Sequence, residues 1–235
     1  MVLYLVNIRA VLKRAIPLSA TCSHSRSTCS TPAETRGISP NLEFSPDCDE
    51  ATRQMLEKDF QVYKDFISAE EENNLLEELE VKFKRSRYQY DHWDDAIHGY
   101  RETEKPTWNQ VNDCVINRLR AFAFSTTTMQ HVHVLDLAEN GHIKPHLDSI
   151  KFCGPTISGI SLLTASVMRL IHIQRPQVLV TALLPRRSLY IMKDFARYEF
   201  NHEILNNSES FFRGEKVTKT RRISVICRSP PPPSS

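Results

Sequence analysis

Short strand-like segments fill the carboxyl-terminal half of the chain, and this limits it to a small number of folds. Residues 131–137 alternate between polar and apolar, and residues two apart lie on one face of a β-strand. Asn140-Gly141 is a strong hairpin-turn signal, so 143–149 is predicted to be the next strand. Further strands are predicted at 157–163, 167–173, 178–183, 188–192, 202–205 and 222–227. Regularly spaced short strands indicate a sandwich or barrel, and a jelly roll, which bounds a pocket between two sheets, is the natural candidate.

Two helices are predicted ahead of these strands. Ser68 and Glu71 fit a capping box that opens a helix to about Phe83. A second box, Thr107 with Gln110, opens a helix to about residue 122. The predicted inward residues are Leu75, Leu76, Leu79 and Val81 in the first helix and Val111, Val115, Ile116 and Leu119 in the second. With a short strand or arm at 60–66 and an aperiodic loop at 88–103, the predicted fold class is mainly β with supporting helices.

An H-x-D motif at His146 and Asp148 is the leading metal-site candidate. If the segment is a strand, the imidazole and the carboxylate point the same way, and His202 is the candidate third ligand. Two His and one carboxylate suit Fe(II), because they leave positions open for a co-substrate and O₂. Zinc in a cupin-like module is an alternative, since it uses the same ligand types. A second H-x-D, at His92 and Asp94, lies in the aperiodic loop and is the poorer candidate.

Two arginines near the carboxyl terminus suggest an anion site. Arg222 and Arg228 are separated by an even offset, so they share a strand face with Ser224. Buried guanidinium groups need anions, and a dicarboxylate co-substrate would satisfy both. Such a pair argues against the zinc module. The alternative is that the arginines pair with acidic residues of neighbouring strands or are solvated.

In their order, these motifs resemble those of the AlkB-type Fe(II)/2-oxoglutarate dioxygenases, especially the mitochondrial members. The resemblance covers about residues 59–229, and it is carried by the segments at 90–99, 141–154, 188–192 and 221–229. It implies a double-stranded β-helix (jelly-roll) core and the cofactors Fe(II) and 2-oxoglutarate. The implied iron ligands are His146, Asp148 and His202. The implied 2-oxoglutarate contacts are Tyr190, Arg222 and Ser224 at the distal carboxylate, with Arg228 nearer the metal-bound end.

The substrate is not fixed by this resemblance. Relatives that act on methylated bases usually carry Asn-x-Tyr ahead of the H-x-D motif, whereas this chain reads Val-His-Val-Leu-Asp at 132–136. We see no obvious basic or aromatic lid to grip a flipped nucleotide, unless 88–103 supplies it. The implied substrate is a protein side chain or a methylated base in mitochondrial RNA, with links to programmed necrosis and fatty-acid metabolism. The alternative is a non-catalytic mitochondrial interaction protein that retains the pocket.

The amino-terminal segment has the composition of a targeting sequence. Residues 1–33 contain no Asp or Glu, carry Arg and Lys, and are rich in Ser and Thr, which is typical of a mitochondrial presequence. A secretory signal peptide is the competing interpretation, but basic residues interrupt its apolar centre. We therefore expect a presequence at 1–33, a linker or arm at 34–58, the dioxygenase domain at 59–229, a disordered Pro-rich tail at 230–235, and a location in the mitochondrial matrix.

Composition limits the partners. A net charge of +2 gives no reason to expect strong non-specific nucleic-acid binding. No apolar run is long enough to cross a bilayer. The six cysteines show no zinc spacing and are predicted to be free thiols rather than a disulfide framework. We expect a monomer.

Overall fold

Strands form most of the folded region, and helices pack against them. The computed structural model describes residues 40–90 and 96–232. Its strands are β1 (Leu42–Phe44), β2 (Phe60–Tyr63), β3 (Ile97–Lys105), β4 (Val132–His146), β5 (Thr156–Leu162), β6 (Ser166–His172), β7 (Leu179–Leu184), β8 (Leu189–Lys193), β9 (Phe200–Ile204), β10 (Phe211–Phe212), β11 (Glu215–Lys216) and β12 (Arg222–Arg228). Its helices are α1 (Glu50–Asp59), α2 (Ala69–Phe83), α3 (Gln110–Ala123) and α4 (Asp194–Glu199).

A curled antiparallel sheet contains all of these strands except the β10–β11 pair. Its order is β1-β7-β6-β9-β4-β12-β5-β8-β2, with β3 paired to β4 beside this path. The amino-terminal half of β4 pairs with β12, and its end pairs with β9, so β4 joins the two halves of the curl. The predicted jelly roll and mainly β fold class are confirmed.

The hairpin predicted at Asn140-Gly141 is wrong, because β4 runs without a turn from Val132 to His146. Gly141 instead allows two backbones to approach: a Cβ built on it would lie 2.4 Å from the carbonyl oxygen of Gly99 on β3. Gly99 has a φ of +62°, and the β3–β4 register shifts there. The glycine was a correct signal for an unusual backbone, but the feature is a bulge within a long strand.

Two apolar cores lie on opposite sides of the sheet. One fills the inside of the curl and includes Leu135, Met168 and Ile204. The other packs α2 and α3 against the outer face. Strand β12 shows the division, since the side chains that enter the helix-covered core are Ile223, Val225 and Cys227. The intervening Arg222, Ser224, Ile226 and Arg228 face the cavity inside the curl, as the even spacing predicted.

The first predicted helix is confirmed and the second needs correction at its start. Ser68 and Glu71 form the capping box of α2. Helix α3 is capped by Asn109, whose side chain accepts from the amide of Asn112, and not by Thr107. Two residues predicted to face inward are exposed, Val81 and Val111. Asparagine is a stronger N-cap than threonine, so the capping-box spacing at Thr107 and Gln110 was outweighed by Asn109.

Two segments predicted to lack regular structure contain strands or helices. Within 88–103, residues from Ile97 onward form β3, whose polar side chains on both faces conceal the alternation that marks most strands. Within 34–58, β1 pairs with β7 and α1 buries Leu56, so the described part of this segment packs against the sheet. The predicted presequence, the His92–Asp94 motif and the last residues of the tail (233–235) lie outside the described residues.

Four of the predicted free cysteines are described, and each is a free thiol: Cys48, Cys114, Cys153 and Cys227. In residues 40–90 and 96–232, no helix combines the length and apolarity that a membrane span requires.

Candidate active site

Three side chains converge at one end of the β4–β9 pairing. His146 ends β4 and lies directly opposite His202 in the register with β9. Asp148 follows just after the strand, where the chain turns back, so the predicted strand to residue 149 is too long. The carboxylate oxygen Oδ1 of Asp148 lies 3.3 Å from Nε2 of His146 and 3.8 Å from Nε2 of His202. One nitrogen or oxygen from each residue falls within 4.8 Å of the others, an arrangement able to hold a metal ion.

The protonation states of these residues suit a cation. Nδ1 of His146 lies 3.0 Å from the carbonyl oxygen of Lys144, so it donates there and leaves the lone pair of Nε2 toward the site. Burial, and then the neighbouring His146, lowers the pKa of His202 to about 3, so its imidazole is neutral at pH 7. Burial opposes ionisation of Asp148, but the neighbouring His146 and the charge of Arg228 hold its pKa well below the usual range.

Arg228 fixes the second oxygen of the Asp148 carboxylate. Its Nε donates to Oδ2 of Asp148 at 3.1 Å, which leaves Oδ1 as the oxygen nearest the two imidazoles. Another guanidinium nitrogen of Arg228 lies 3.1 Å from Nδ1 of His133, and Nε2 of His133 lies 2.8 Å from Glu102. A polar chain therefore runs from the candidate metal site to the exposed strand β3. Arg228, one of the two arginines predicted to bind an anion, therefore has an acidic partner within the protein.

Arg222 lies deeper in the same cavity and has no such partner among the described residues. Its side chain is 2% exposed, and its hydrogen bonds go to the hydroxyls of Ser161 (3.1 Å) and Ser224 (3.4 Å). Burial lowers the pKa of Arg222 to about 10, so the buried guanidinium is still charged at pH 7. Tyr190 is also buried beside it, and burial raises the pKa of its hydroxyl.

The cavity joins the two groups of residues. Its volume is about 60 Å³. His146, Asp148 and His202 line it together with Tyr190, Arg222, Ser224 and Arg228. The rest of the lining is mainly apolar, supplied by Ile97, Leu135, Ile143, Ile157, Met168, Ile204 and Ile226, with His133 beside Arg228. The structure therefore brings all seven sequence-predicted site residues to one cavity.

Gly159 provides the space for Tyr190, a contribution that sequence reasoning missed. The two residues are paired across β5 and β8, and a Cβ on Gly159 would lie 2.6 Å from Cε1 of the ring. Gly159→Ala is expected to displace the ring and to cost about 1–3 kcal/mol of stability, because the added methyl group overlaps the buried ring. Thermal denaturation checks this, and in a Tyr190→Ala background the same change is expected to cost much less. Equal costs in the two backgrounds would contradict the assignment.

Arg197 is a second contribution that the sequence did not suggest. It lies on α4, is fully buried, and donates from Nη2 to the carbonyl oxygen of Asp148 at 2.7 Å. The same nitrogen lies 3.1 Å from Sγ of Cys153. These contacts hold the short segment after β4 in place, and so they position the carboxylate of Asp148. Only the charge of Arg197 was visible in the sequence, because α4 is too short to give a periodic signal.

Comparison with known proteins identifies the family. The mouse (Mus musculus) protein described as alpha-ketoglutarate-dependent dioxygenase alkB homolog 7, mitochondrial, is 51% identical over 185 residues, which cover 78% of this chain and 84% of the relative. The cattle (Bos taurus) protein with the same description is 54% identical over 168 residues, or 71% and 76% of the two chains. The chain belongs to the alkB homolog 7 family. The predicted enzyme class, an Fe(II)/2-oxoglutarate dioxygenase, and its mitochondrial location are thereby confirmed.

Comparison with solved structures independently supports the fold described above. The solved structure of OsALKBH1 superposes on this chain with a TM-score of 0.54 at 10% identity, covering 73% of this chain and 98% of the other. At that identity the likeness concerns the fold alone. No family model matches the sequence.

Proposed function

We propose that this protein is a mitochondrial matrix oxygenase that couples 2-oxoglutarate turnover to oxidation of a C–H bond in a protein side chain or in a methylated base of mitochondrial RNA. The proposed iron ligands are His146, Asp148 and His202, and the proposed 2-oxoglutarate contacts are Tyr190, Arg222, Ser224 and Arg228. A monomeric state and a role in programmed necrosis and fatty-acid metabolism belong to the same proposal. They rest on the family resemblance, and the matrix location also rests on the composition of residues 1–33.

The buried Arg222 is the observation that carries the proposal. A charged guanidinium removed from water costs several kcal/mol unless an anion compensates it, on the order of the penalties known for buried ions. Two serine hydroxyls cannot supply that charge. The neighbouring Arg221 differs, because it pairs with Asp136 at 2.7 Å and with Glu80. A carboxylate entering the cavity would therefore find an unneutralised cation at its closed end.

The other end of the cavity fits a metal ion. Two imidazoles with lone pairs available and one ionised carboxylate form the donor set that suits Fe(II) with open positions. A molecule with carboxylates at both ends would have a cationic partner at each end of the cavity lining. Bound Fe(II) and 2-oxoglutarate would supply the oxidising power, with succinate and CO₂ as the products of the co-substrate.

The protein's own residues then have separate tasks. Lys144 fixes the tautomer of His146, and Arg228 keeps Oδ2 of Asp148 away from the imidazoles so that Oδ1 faces them. Apolar side chains on β4, β6, β9 and β12 exclude water from the space between the two ends, which strengthens each charge interaction within it. Tyr190 and Ser224 offer hydroxyls beside Arg222 for the distal carboxylate.

Fe(II) and 2-oxoglutarate added together without oxygen are expected to raise the Tm. A ligand at about a hundredfold excess over its Kd stabilises a protein by about 2.7 kcal/mol, and for a domain of this size the rise is about 5–10 °C. Scanning calorimetry measures it. Glutarate, which lacks the keto group, is the matched control and is expected to give a smaller shift. A Tm that does not change with Fe(II), with 2-oxoglutarate or with both together would contradict the proposed function.

A further inference from the structure

A second concavity adjoins the cavity at its open end. This groove has a volume of about 590 Å³, and its lining consists of Glu102, Thr103, Glu104, His133, Phe152 and Arg228. His133 and Arg228 also line the candidate active-site cavity. The groove therefore lies directly beside the carboxylate of Asp148, and a substrate lying in it could reach the proposed metal.

The charge of the groove is negative. Glu102 and Glu104 are exposed on the same face of β3. The positive charge of Arg228 is already matched by Asp148 at 3.1 Å. Lys151 precedes Phe152 in the chain but does not line the groove. A polyphosphate backbone would meet repulsion from two carboxylates here, whereas a Lys or Arg side chain would be attracted.

Phe152 adds an apolar side chain to the groove lining, and Ile150 is exposed two residues before it in the chain. Phe152 is 75% exposed and Ile150 is 57% exposed, on the short segment that follows Asp148. Two large apolar side chains held in water beside a reactive centre are typical of a surface that binds a partner. Their position on the segment that carries Asp148 places them within a few residues of the proposed metal.

We propose that this groove, defined by Glu102, Glu104 and Phe152, binds a polypeptide segment in which a Lys or Arg lies next to an apolar residue. The proposal rests on the proposed function and names its substrate class: a protein rather than a nucleic acid. Glu104 is the sharper test residue, because Glu102 is already hydrogen-bonded to His133.

The proposal is tested with the full chain loaded with 2-oxoglutarate and Mn(II) in place of Fe(II). Fluorescence anisotropy is followed with a labelled peptide of alternating lysine and leucine, with its glutamate–leucine counterpart, and with oligouridine of similar length. The lysine–leucine peptide is expected to bind most tightly, and its affinity should fall as salt is added. Glu104→Lys is expected to weaken it by more than about tenfold and Glu104→Gln by less, since the first reverses the charge and the second removes it.

Glu77→Lys is the matched control, because Glu77 is exposed on α2 and lies outside the groove. Tighter binding of oligouridine than of the lysine–leucine peptide would overturn the proposal. So would equal losses in the Glu104→Lys and Glu77→Lys proteins. Thermal shifts with Mn(II) and 2-oxoglutarate on the same samples separate the groove assignment from the proposed cofactor site. A protein that binds Mn(II) and 2-oxoglutarate but not the peptide contradicts the groove assignment alone. A protein that binds neither contradicts the proposed cofactor site.

Discussion

His202→Ala is expected to weaken metal binding by more than about 100-fold. Loss of an outer-shell contact costs up to about 100-fold, and this change removes a direct ligand. His202 lies opposite His146 in the β4–β9 register, and its ring centroid is 4.3 Å from that of His146. The remaining His146 and Asp148 would offer two donors from neighbouring positions of one segment. Anaerobic calorimetry with Fe(II), or with Mn(II) as its stand-in, measures the loss.

His92→Ala is the control for this experiment, because His92 belongs to the other H-x-D motif of the sequence. It is expected to leave the metal affinity within about twofold of the wild type, as for a change outside the site. Comparable losses in the two variants would show that His202 is not the third ligand. Retention of tight metal binding in His202→Ala would lead to the same conclusion.

A metal-free measurement distinguishes loss of the ligand from unfolding in His202→Ala. Nδ1 of His202 is buried without a hydrogen-bond partner among the described residues, so its removal breaks no hydrogen bond at that atom. The change does leave a cavity, and a cost of about 1–3 kcal/mol is expected. A metal-free melting curve that stays cooperative, with a modestly lower Tm, would establish that the loss of affinity is local.

Much of the site could be predicted because it depends on strand periodicity. Arg222, Ser224 and Arg228 share a face in any regular strand, and the alternating Ile223, Val225 and Cys227 could fill the other face of β12 against the helices. The relation of His146 to His202 is different, because cross-strand pairing is set by the whole sheet. His202 was a candidate because it lies in a predicted strand, but the register of β9 with β4 could not be predicted from the sequence.

The errors have a common physical origin. Periodicity reports how a side chain partitions between water and an apolar core, so it fails where both faces of a strand are polar. On β3, Arg101 pairs with the buried Asp136 on one face while Glu102 faces solvent on the other, and the strand was therefore taken for a loop. The turn predicted at Asn140-Gly141 failed for another reason: a close backbone contact with Gly99 and a hairpin turn can both require glycine.

Arg222→Met is expected to reduce the affinity for 2-oxoglutarate while leaving the metal affinity nearly unchanged. Methionine retains much of the buried volume and removes the charge. Truncation of one partner of a buried, hydrogen-bonded charge pair costs about 2–5 kcal/mol, which corresponds to about 30- to 4,000-fold in Kd. Titration of 2-oxoglutarate into the Mn(II)-loaded protein measures the change, and charge reversal in Arg222→Glu is expected to be at least as severe.

Arg85→Met is the matched control, since Arg85 is exposed beyond the end of α2. Arg222→Lys keeps the charge but loses the planar fork that binds a carboxylate bidentately, so an intermediate affinity is expected. Co-substrate affinity that survives in Arg222→Met would contradict the proposed clamp.

Stability without co-substrate separates this role from a structural one. If the buried guanidinium stabilised the fold, its removal would lower the Tm of the unliganded protein. A guanidinium kept for a ligand is a cost to the empty protein, consistent with burial lowering the pKa of Arg222 to about 10. Replacement of a buried ion pair by apolar residues of similar volume is often neutral or stabilising by about 1–4 kcal/mol, and a buried charge without an ionic partner has even less to lose. The unliganded Arg222→Met protein is therefore expected to melt at the same temperature as the wild type or above it, even though its affinity for 2-oxoglutarate is lost.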